Sequence, residues 1–315
     1  MTMEYYFAPM EGVTTVFYRR VHAAHFGGAD RYYAPFISPT ADHVFTPREL
    51  RELLPENNRG IRLIPQILTK SPEDFLWAAS GLGEMGYEEV NLNLGCPSAT
   101  VTAKGKGAAL LRAPEVLDAM LEKVFSRSEL PVSVKTRIGY AAPEEFEKLL
   151  EIFNRYPIAE LILHCRTRRE MYAGAAHYEA FELALRESRA GVVFNGNLLT
   201  AADCAAFCLR YPGQRAVMLG RGAADDPALF RRVKGGPPAG REELSDFHRE
   251  LYGLYRSEYG GVNGMRRMKE LWNYLFSLFD GGEELRKKMM RTKDVGVFEE
   301  CVERALRSLP LKDEK

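Results

Sequence analysis

Short runs of β-branched and aromatic residues alternate with amphipathic helical patterns from residue 4 to about residue 235. Eight of these runs are predicted strands: Tyr5–Ala8, Arg31–Ala34, Ile61–Ile67, Glu89–Leu94, Val132–Thr136, Glu160–Cys165, Gly191–Phe194 and Ala216–Leu219. Eight strands that alternate with helices in a stretch of roughly 250 residues are typical of a (β/α)8 (TIM) barrel. An open, doubly wound sheet usually has fewer strands, and no GxGxxG sequence follows the first strand. We therefore predict an α/β fold in which residues 1–235 form a barrel.

The pattern changes after the glycine- and proline-rich segment at 235–240. From residue 241 onward, apolar residues recur at helical spacing, as at Phe247, Leu251 and Leu254, without a convincing strand pattern. A stretch of this length lies within the size range of a small domain. We predict that residues 241–315 form an all-helical C-terminal domain.

Composition and charge exclude several classes of protein. Lys plus Arg and Asp plus Glu both number 43, so the chain lacks the strong positive charge of many nucleic-acid-binding domains, and RNA contact would require local basic patches. The apolar runs are shorter than the about 20 residues that span a bilayer, and the amino terminus lacks a signal-peptide pattern. The five cysteines are irregularly spaced without a CxxC pair, which argues against disulfides and structural zinc. We expect a cytoplasmic monomer without membrane contact or a metal centre.

Polar residues stand at the ends of most predicted strands, which is where barrel enzymes carry their chemistry. In chain order, the residues at these strand ends, including a proline, a methionine and the glycines among the polar ones, are Pro9, Met10, Glu11, Gln66, Asn91, Asn93, Cys96, Lys135, Arg137, His164, Arg166, Asn195, Gly196, Asn197, Gly220 and Arg221. A lysine or glutamine inside an apolar strand costs free energy unless it is paired. Gln66 alone fits a structural polar group equally well, but the whole set predicts a functional site at one mouth of the barrel.

The loops after the seventh and eighth predicted strands favour a phosphate site. Barrels commonly bind phosphate at these two loops, which here contain Asn195-Gly196-Asn197 and Gly220-Arg221-Gly222. The alternative is that the glycines only make tight turns. Lys135 across the mouth would stabilise an anionic reduced ring, so the set is typical of a site for flavin mononucleotide (FMN).

The cysteines fall into different classes. Cys96 lies in a Gly-Cys-Pro loop beside the predicted site, which favours a chemical role over packing. Cys204 and Cys208 lie four residues apart on an apolar helix face and are predicted to pack in the core. Cys165, between His164 and Arg166, fits either role. Among the histidines, His164 is the one at a predicted strand end.

Seven segments from Ala8 to about Phe230 resemble the tRNA-dihydrouridine synthase family in content and order. They read APMEGVT, LIPQIL, NLNLGCPSATVTAKGKGAALL, VSVKTRIG, HCRTRREMYAG, NGNLLT and MLGRGAADDPALF. The segment around Cys96 is the most specific, and a helical C-terminal domain of this size also fits the family. Three positions depart from the usual family pattern: Thr15 and Asn197 replace Asp, and Cys165 replaces Gly.

The resemblance implies a flavoprotein that uses NADPH to reduce FMN and then reduces the C5–C6 double bond of a uridine in RNA, with tRNA as the expected substrate. In that scheme, the flavin N5 gives hydride to C6, and the thiol of Cys96 gives a proton to C5. A thiol with an ordinary pKa near 8.5 is protonated at pH 7, as a general acid must be.

The resemblance also implies roles for individual residues. It implies an FMN site made of Pro9, Met10, Glu11, Gln66, Lys135, His164, Asn195, Gly196, Asn197, Gly220 and Arg221. It implies substrate contacts by Asn93, Lys104, Arg137 and Arg166.

Two basic clusters of the C-terminal region are predicted to bind RNA phosphates while the barrel holds one extruded base. They contain Arg266, Arg267 and Lys269, and Arg286, Lys287, Lys288 and Arg291. The alternative for each cluster is an ordinary solvated helix face.

Two other functions remain open at this point. One is an FMN barrel dehydrogenase of a small pyrimidine, such as a dihydroorotate dehydrogenase, which would not need the helical domain. The other is an RNA-binding protein whose flavin chemistry is secondary or lost. The presence of Cys96 and Lys135 argues against loss.

Overall fold

The computed structural model describes residues 3–312. Its strands are β1 Glu4–Phe7, β2 Arg31–Tyr33, β3 Leu63–Ile64, β4 Gln66–Ile67, β5 Val90–Leu94, β6 Val132–Gly139, β7 Glu160–Thr167, β8 Gly191–Asn195 and β9 Ala216–Leu219. They form one sheet in the order β3-β2-β1-β9-β8-β7-β6-β5-β4, and the strand pairs of its ladder are parallel. The fold resembles a TIM barrel, as predicted.

The predicted third strand, Ile61–Ile67, is interrupted at Pro65 and therefore forms two short strands, β3 and β4. Proline has no backbone N–H to donate to a sheet ladder, although its carbonyl oxygen accepts a hydrogen bond from Asn91 N at 2.9 Å. β3 pairs with β2, and β4 pairs with β5. The two halves therefore act as one barrel strand and close the sheet on itself.

Helices follow the strands as the alternating pattern predicts. They are α1 Val16–His25, α2 Pro47–Leu53, α3 Pro72–Glu84, α4 Ala99–Thr102, α5 Pro114–Arg127, α6 Glu145–Phe153, α7 Tyr178–Glu187, α8 Ala201–Arg210, α9 Arg221–Asp225, α10 Leu229–Arg232, α11 Arg241–Tyr259, α12 Gly261–Leu275, α13 Glu283–Arg291 and α14 Val295–Ser308. The start of α8 shows why such helices begin where they do. Thr200 Oγ1 accepts from Asp203 N, and the Asp203 carboxylate accepts from Thr200 N, which satisfies N–H groups that the helix cannot.

Apolar side chains lie on both sides of the barrel wall. The larger cluster is between the strands and the surrounding helices, and the smaller one fills the lumen with residues such as Tyr6, Tyr33 and Met218. Below these, Arg31 contacts the carboxylate of Glu160 at 3.0 Å. The lumen is therefore packed, and open polar space is confined to the strand ends.

The C-terminal helices α11–α14 pack against the barrel beside α1. The rings of Phe26 and Phe247 are 5.1 Å apart, and the hydroxyls of Thr15 and Tyr255 are hydrogen-bonded at 2.8 Å. The fold is thus the barrel followed by helices that the sequence indicates. The division into domains 1–235 and 241–315 stays a prediction, and residues 1–2 and 313–315 of those ranges lie outside the described residues.

Within residues 3–312, no helix is both long enough and apolar enough to cross a membrane. In the same residues, no group of three or more His, Cys, Asp or Glu side chains has an arrangement that could hold a metal ion.

Candidate active site

A chain of buried amides connects three strands at the mouth of the barrel. Gln66 Nε2 donates to Asn91 Oδ1 at 2.7 Å, and Asn93 Nδ2 donates to Gln66 Oε1 at 2.7 Å. Asn91 Nδ2 in turn donates to Ser133 Oγ at 3.0 Å. Each of these amides donates one of its two N–H groups within the chain, which offsets the cost of burying it in an apolar wall and leaves its second N–H for another acceptor. Gln66 is therefore held in place, with its amide fixed beside Asn93.

Asn93 also positions the loop that contains Cys96. Its Oδ1 accepts the backbone N–H groups of Gly95 at 3.0 Å and Cys96 at 2.9 Å. Because the same side chain binds Gln66 through its other end, the Cys96 loop is fixed relative to the strand ends. Cys96 is half-buried, as expected of a residue beside a site rather than in the core.

The surroundings of Cys96 keep its thiol protonated. Burial raises the pKa of the Cys96 thiol above its ordinary value, while the nearby positive charges of Arg137 and Lys135 oppose part of that rise. The group is therefore a thiol rather than a thiolate at neutral pH. It can serve as a proton donor.

Lys135 projects from β6 towards the end of β8. Its Nζ donates to Asn195 Oδ1 at 2.9 Å, and Asn195 Nδ2 donates to the carbonyl oxygen of Met218 at 2.8 Å. Burial and the charge of Arg137 lower the pKa of Lys135 to about 7. An anion that binds beside this ammonium group would raise its pKa again.

Three arginines of the mouth hold the loop that follows β7, residues 168–177. Arg137 Nη1 donates to the carbonyl oxygen of Met171 at 2.7 Å, Arg166 Nε donates to that of Ala173 at 2.9 Å, and Arg221 Nη1 donates to that of Tyr172 at 3.4 Å. The ring of Tyr172 lies 5.4 Å from the Arg137 guanidinium carbon and 5.5 Å from that of Arg221. The loop therefore places an aromatic side chain among the cations.

In residues 3–312, the cations at the mouth have no direct ion pair with a carboxylate. Within the described part of the chain, none of Lys135, Arg137, Arg166 and Arg221 forms an ion pair with an acidic side chain. Burial, together with these four cations, holds the pKa of His164 well below its ordinary value, so its imidazole is neutral. A cluster of this kind is suited to an anionic ligand.

The loops after β8 and β9 meet at this cluster. Arg221 Nη2 donates to Asn197 Oδ1 at 2.9 Å. A side chain on Gly222 would begin 2.6 Å from the Cα of Leu199, so glycine is required for the two loops to approach. Met10, from the loop after β1, lies near Gly220, because a Cβ at that glycine would be 3.9 Å from the Met10 sulfur. The residues expected to bind phosphate are thus together.

The remaining cysteines are structural. Cys165 is completely buried in the apolar cluster outside the strands, although its neighbours His164 and Arg166 face the mouth. Cys204 is also buried, and Cys208 lies 3.8 Å from the hydroxyl of Tyr5. The packing role predicted for Cys204 and Cys208 is in keeping with these positions. Cys165, for which the sequence fitted either role, packs in the core.

Several predicted site residues are exposed rather than buried at the mouth. Glu11 is exposed and paired with Arg48 at 3.0 Å, and Lys104 is exposed on the loop after α4. In the C-terminal clusters, Arg266 and the four residues of α13 are exposed, whereas Lys269 is partly buried and donates to the carbonyl oxygens of Met290 and Thr292. Lys269 thus caps the carboxyl end of α13 and also contributes positive charge to its cluster.

Helix α12 supplies mouth residues that the sequence did not single out. Burial raises the pKa of the Tyr274 phenol on α12, and the charges of Tyr172 and Asp225 raise it further. Asp225 has a pKa raised to about 6, mainly by burial, with Arg221 and Arg286 opposing the rise. Tyr172 and Tyr274 lacked a sequence signal because an aromatic residue in a loop or on a helix commonly packs in a core.

One cavity lies beside the mouth, and another lies at the opposite end of the barrel. One of about 240 Å³ lies on the same side of the barrel, between the loops after β1 and β2, and includes Glu11, Gly12 and Ser38 in its lining. A larger one of about 330 Å³ lies at the opposite end, lined by residues 58–64 and 86–89 among others. Because barrel enzymes carry their chemistry at the carboxyl ends of the strands, the larger cavity is not part of this site.

Comparisons with known proteins agree with this geometry. The family described as dihydrouridine synthase (Dus) matches residues 6–309. A probable tRNA-dihydrouridine synthase of Staphylococcus epidermidis is 30% identical over 311 residues, covering 94% of this chain and 91% of that protein. The tRNA-dihydrouridine synthase B of Shewanella oneidensis is 30% identical over 273 residues, covering 82% of this chain and 83% of that protein.

Among solved structures, a variant of NCR from Zymomonas mobilis shares the fold. It has a TM-score of 0.52 and 14% identity, and covers 79% of this chain and 92% of that chain. At this identity the likeness concerns the fold alone. The match over residues 6–309 and the relatives along most of the chain carry the classification. The chain belongs to the dihydrouridine synthase (Dus) family and is an oxidoreductase.

Proposed function

We propose that this protein reduces the C5–C6 double bond of a uridine in tRNA to give dihydrouridine, with FMN as bound cofactor and NADPH as the source of electrons. The observation that carries the proposal is the position of a protonated thiol, Cys96, near Lys135 and Arg137. It lies at a mouth where Lys135, Arg137, Arg166 and Arg221 form no ion pair with a carboxylate among the described residues. The names of the relatives in Staphylococcus epidermidis and Shewanella oneidensis support tRNA as the substrate.

The donor set at the mouth fits FMN. A phosphate group requires cations and N–H donors, which Arg221 and the loops around Gly196 and Gly220 supply. A ring that becomes anionic on reduction requires a positive charge without a competing carboxylate, which Lys135 supplies. We assign the amide of Gln66 and the neutral imidazole of His164 to the polar edge of the ring.

The residues of this chain have distinct parts in the proposed reaction. When bound, FMN supplies a hydride to uracil C6 after reduction by NADPH. Cys96 donates its thiol proton to C5, so that one hydride and one proton saturate the bond, and the thiolate is then reprotonated from solvent. Asn93 holds the Cys96 loop through its Oδ1, and we assign the second N–H of its amide to the uracil edge. Arg137 and Arg166 line the base pocket.

An anaerobic reoxidation experiment tests the proposal. The purified protein, loaded with FMN and reduced by NADPH, is mixed with an unmodified tRNA transcript while the flavin absorbance is followed. We expect the absorbance of oxidised flavin to return with the transcript, and not with orotate or free uracil. Reoxidation by a small pyrimidine and not by the transcript would favour a small-molecule dehydrogenase, and reoxidation by neither would contradict both functions.

A further inference from the structure

A group of cations lies along the rim of the mouth, on the side of the Cys96 loop. It comprises Lys70, Lys104, Lys106, Arg112 and Arg168, and we call it the rim band. Lys70 follows β4, Lys104 and Lys106 follow α4, and Arg168 follows β7. In the described residues, no member forms an ion pair with a carboxylate, whereas exposed lysines on the barrel helices, such as Lys123 and Lys148, do.

The three lysines of the rim band are close neighbours. A Cβ at Gly105, between Lys104 and Lys106, would lie 3.6 Å from the Lys70 Nζ. Burial lowers the pKa of Lys106, Asp74 opposes that effect, and the charges of Lys104 and Lys70 lower it further. Like charges at this spacing repel one another, so the arrangement is less stable without an anion than with one.

Two members of the band, Lys106 and Arg168, are held by hydrogen bonds. Lys106 Nζ donates to Ser38 Oγ at 2.8 Å, and Ser38 Oγ donates to the carbonyl oxygen of Leu68 at 3.1 Å. On the other side, Arg168 Nη2 lies 3.5 Å from Thr102 Oγ1. The Lys106 ammonium group therefore has a fixed position. Within residues 3–312 its hydrogen bond goes to a neutral oxygen, and the Asp74 carboxylate acts on it without forming an ion pair.

An aromatic ring extends the band around the rim. The guanidinium carbons of Arg112 and Arg168 lie 4.7 Å and 5.5 Å from the centre of the Tyr140 ring. Stacking on Tyr140 holds both cations without cancelling their charge. The band therefore presents several fixed positive charges in succession along one edge of the mouth.

The same segment packs directly on Cys96. The N–H of Ala108 donates to the Cys96 carbonyl oxygen at 3.2 Å, and a Cβ at Gly107 would lie 3.1 Å from the Cys96 Cβ. Lys106 is thus two residues from the backbone hydrogen bond between Ala108 and Cys96. An anion held by the band would lie next to the site of reduction.

We propose that the rim band binds successive backbone phosphates of the RNA strand on either side of the uridine that is reduced. The inference rests on the proposed function and adds a surface outside the FMN site and outside the C-terminal clusters. A chain of phosphodiesters matches a row of separate cations better than a single anion does, because each phosphate brings one charge at a regular interval. Reduction of one base requires that base to leave the stack, and contacts to its flanking phosphates stabilise the extruded strand.

The test compares two double variants of the FMN-loaded protein. Lys70→Gln with Lys106→Gln removes two charges of the band, and Lys123→Gln with Lys148→Gln removes two charges from exposed ion pairs on the barrel helices. Affinity for an unmodified tRNA transcript is measured as a function of salt, and the flavin content and the rate of flavin reduction by NADPH are recorded in parallel.

We expect the rim variant to bind the transcript on the order of tenfold more weakly, with a log–log salt slope less negative by about 1.4–1.8, because each lost contact contributes about 0.7–0.9. The matched variant and a Lys70→Arg with Lys106→Arg variant should bind like wild type, since they keep the band's charge. Phosphate ethylation interference should differ between the rim variant and wild type only at phosphates within a few nucleotides of the reduced uridine.

Several results would overturn the inference. One is that the rim variant keeps the affinity and salt slope of wild type. Another is that the matched variant loses as much RNA affinity as the rim variant does. A third is that the arginine variant loses as much RNA affinity as the rim variant, because that result would indicate a structural role for the two lysines. A raised KM for NADPH with unchanged RNA affinity would instead assign the band to the dinucleotide. If wild type binds the transcript but does not reduce it, the proposed function fails, and the affinity comparison still decides the role of the band.

Discussion

At the scale of single residues, the chemistry depends on how burial sets the charge of two groups. Burial keeps Cys96 protonated by raising its pKa, and it lowers the pKa of Lys135 to about 7. The first effect prepares a proton donor, and the second leaves a cation that an anionic ligand stabilises. Cys96 and Lys135 were predictable because each breaks a local pattern: one is a cysteine between glycine and proline, the other a lysine in an apolar strand.

Substitution of Cys96 separates the two half-reactions. We expect Cys96→Ala to accept electrons from NADPH at the wild-type rate but to reduce uridine in RNA about 10²–10⁴-fold more slowly, because a positioned general acid is lost. Stopped-flow absorbance of the flavin measures the first step, and nucleoside analysis measures the second. Cys204→Ala, a buried cysteine away from the mouth, is the control. An RNA-reduction rate for Cys96→Ala within a few-fold of wild type would exclude the proton-donor role.

Binding of FMN should be coupled to protonation of Lys135. The free protein has a Lys135 pKa of about 7, and a bound anion raises it, so FMN binding at pH 8 takes up a proton and FMN affinity falls as the pH rises above about 7. Calorimetry in buffers of different ionisation enthalpy measures the uptake. The phosphate of FMN, with a second pKa near 6, is already ionised at pH 8 and does not contribute. Lys135→Met should abolish the uptake, and uptake equal to wild type in that variant would assign it to another group.

At the scale of elements, two loops and one strand break position the site. The split of the third strand at Pro65 and the approach of Gly222 to Leu199 are local consequences of proline and glycine chemistry. The sequence indicates both loops after β8 and β9, because their glycines and Arg221 stand directly after apolar strands. It does not indicate that residues 168–177 fold back on Arg137 and Arg221, since those contacts join residues 34 and 49 positions apart through backbone carbonyls.

Arg221 should hold the cofactor phosphate. We expect Arg221→Ala to weaken FMN binding by about 1.5–3 kcal/mol, through loss of a charge-assisted hydrogen bond. Fluorescence titration of the apoprotein with FMN measures the loss. Arg210→Ala, which removes an exposed ion pair with Glu182, is the matched control and should bind FMN like wild type. Equal affinity in Arg221→Ala and Arg210→Ala would place the phosphate elsewhere.

At the scale of the whole molecule, the helices α11–α14 add a wall to the mouth as well as a second basic surface. Helix α12 packs against α9, and Ser277 Oγ, just after α12, donates to the carbonyl oxygen of Asp225 at 3.3 Å, so the C-terminal helices continue the rim of the barrel. Strand and helix alternation made the barrel predictable, because one pattern repeats along some 230 residues. The docking of α11 on α1 was not predictable, because apolar helix faces such as that of Phe247 do not specify which surface covers them.

The exposed cluster on α13 should contribute to binding of the whole RNA rather than to chemistry. We expect the combined change Arg286→Glu, Lys287→Glu and Lys288→Glu to weaken transcript binding. The slope of log affinity against log salt concentration should become less negative by up to about 0.7–0.9 per lost contact. Reduction of the flavin by NADPH should not change. A variant with Arg127→Glu, Arg186→Glu and Arg189→Glu carries the same charge change and serves as control. Wild-type affinity and slope in the α13 variant would make the cluster an ordinary helix face.

The central claim is that this protein converts uridine to dihydrouridine in tRNA, and mass spectrometry of a treated transcript tests it most directly. An unmodified tRNA transcript is incubated with the purified, FMN-loaded protein and NADPH, digested to nucleosides and analysed, with parallel reactions lacking NADPH. We predict a nucleoside two hydrogens heavier than uridine, present only when NADPH is supplied and confined to defined positions of the transcript. A transcript that stays free of dihydrouridine while NADPH is oxidised would contradict the account.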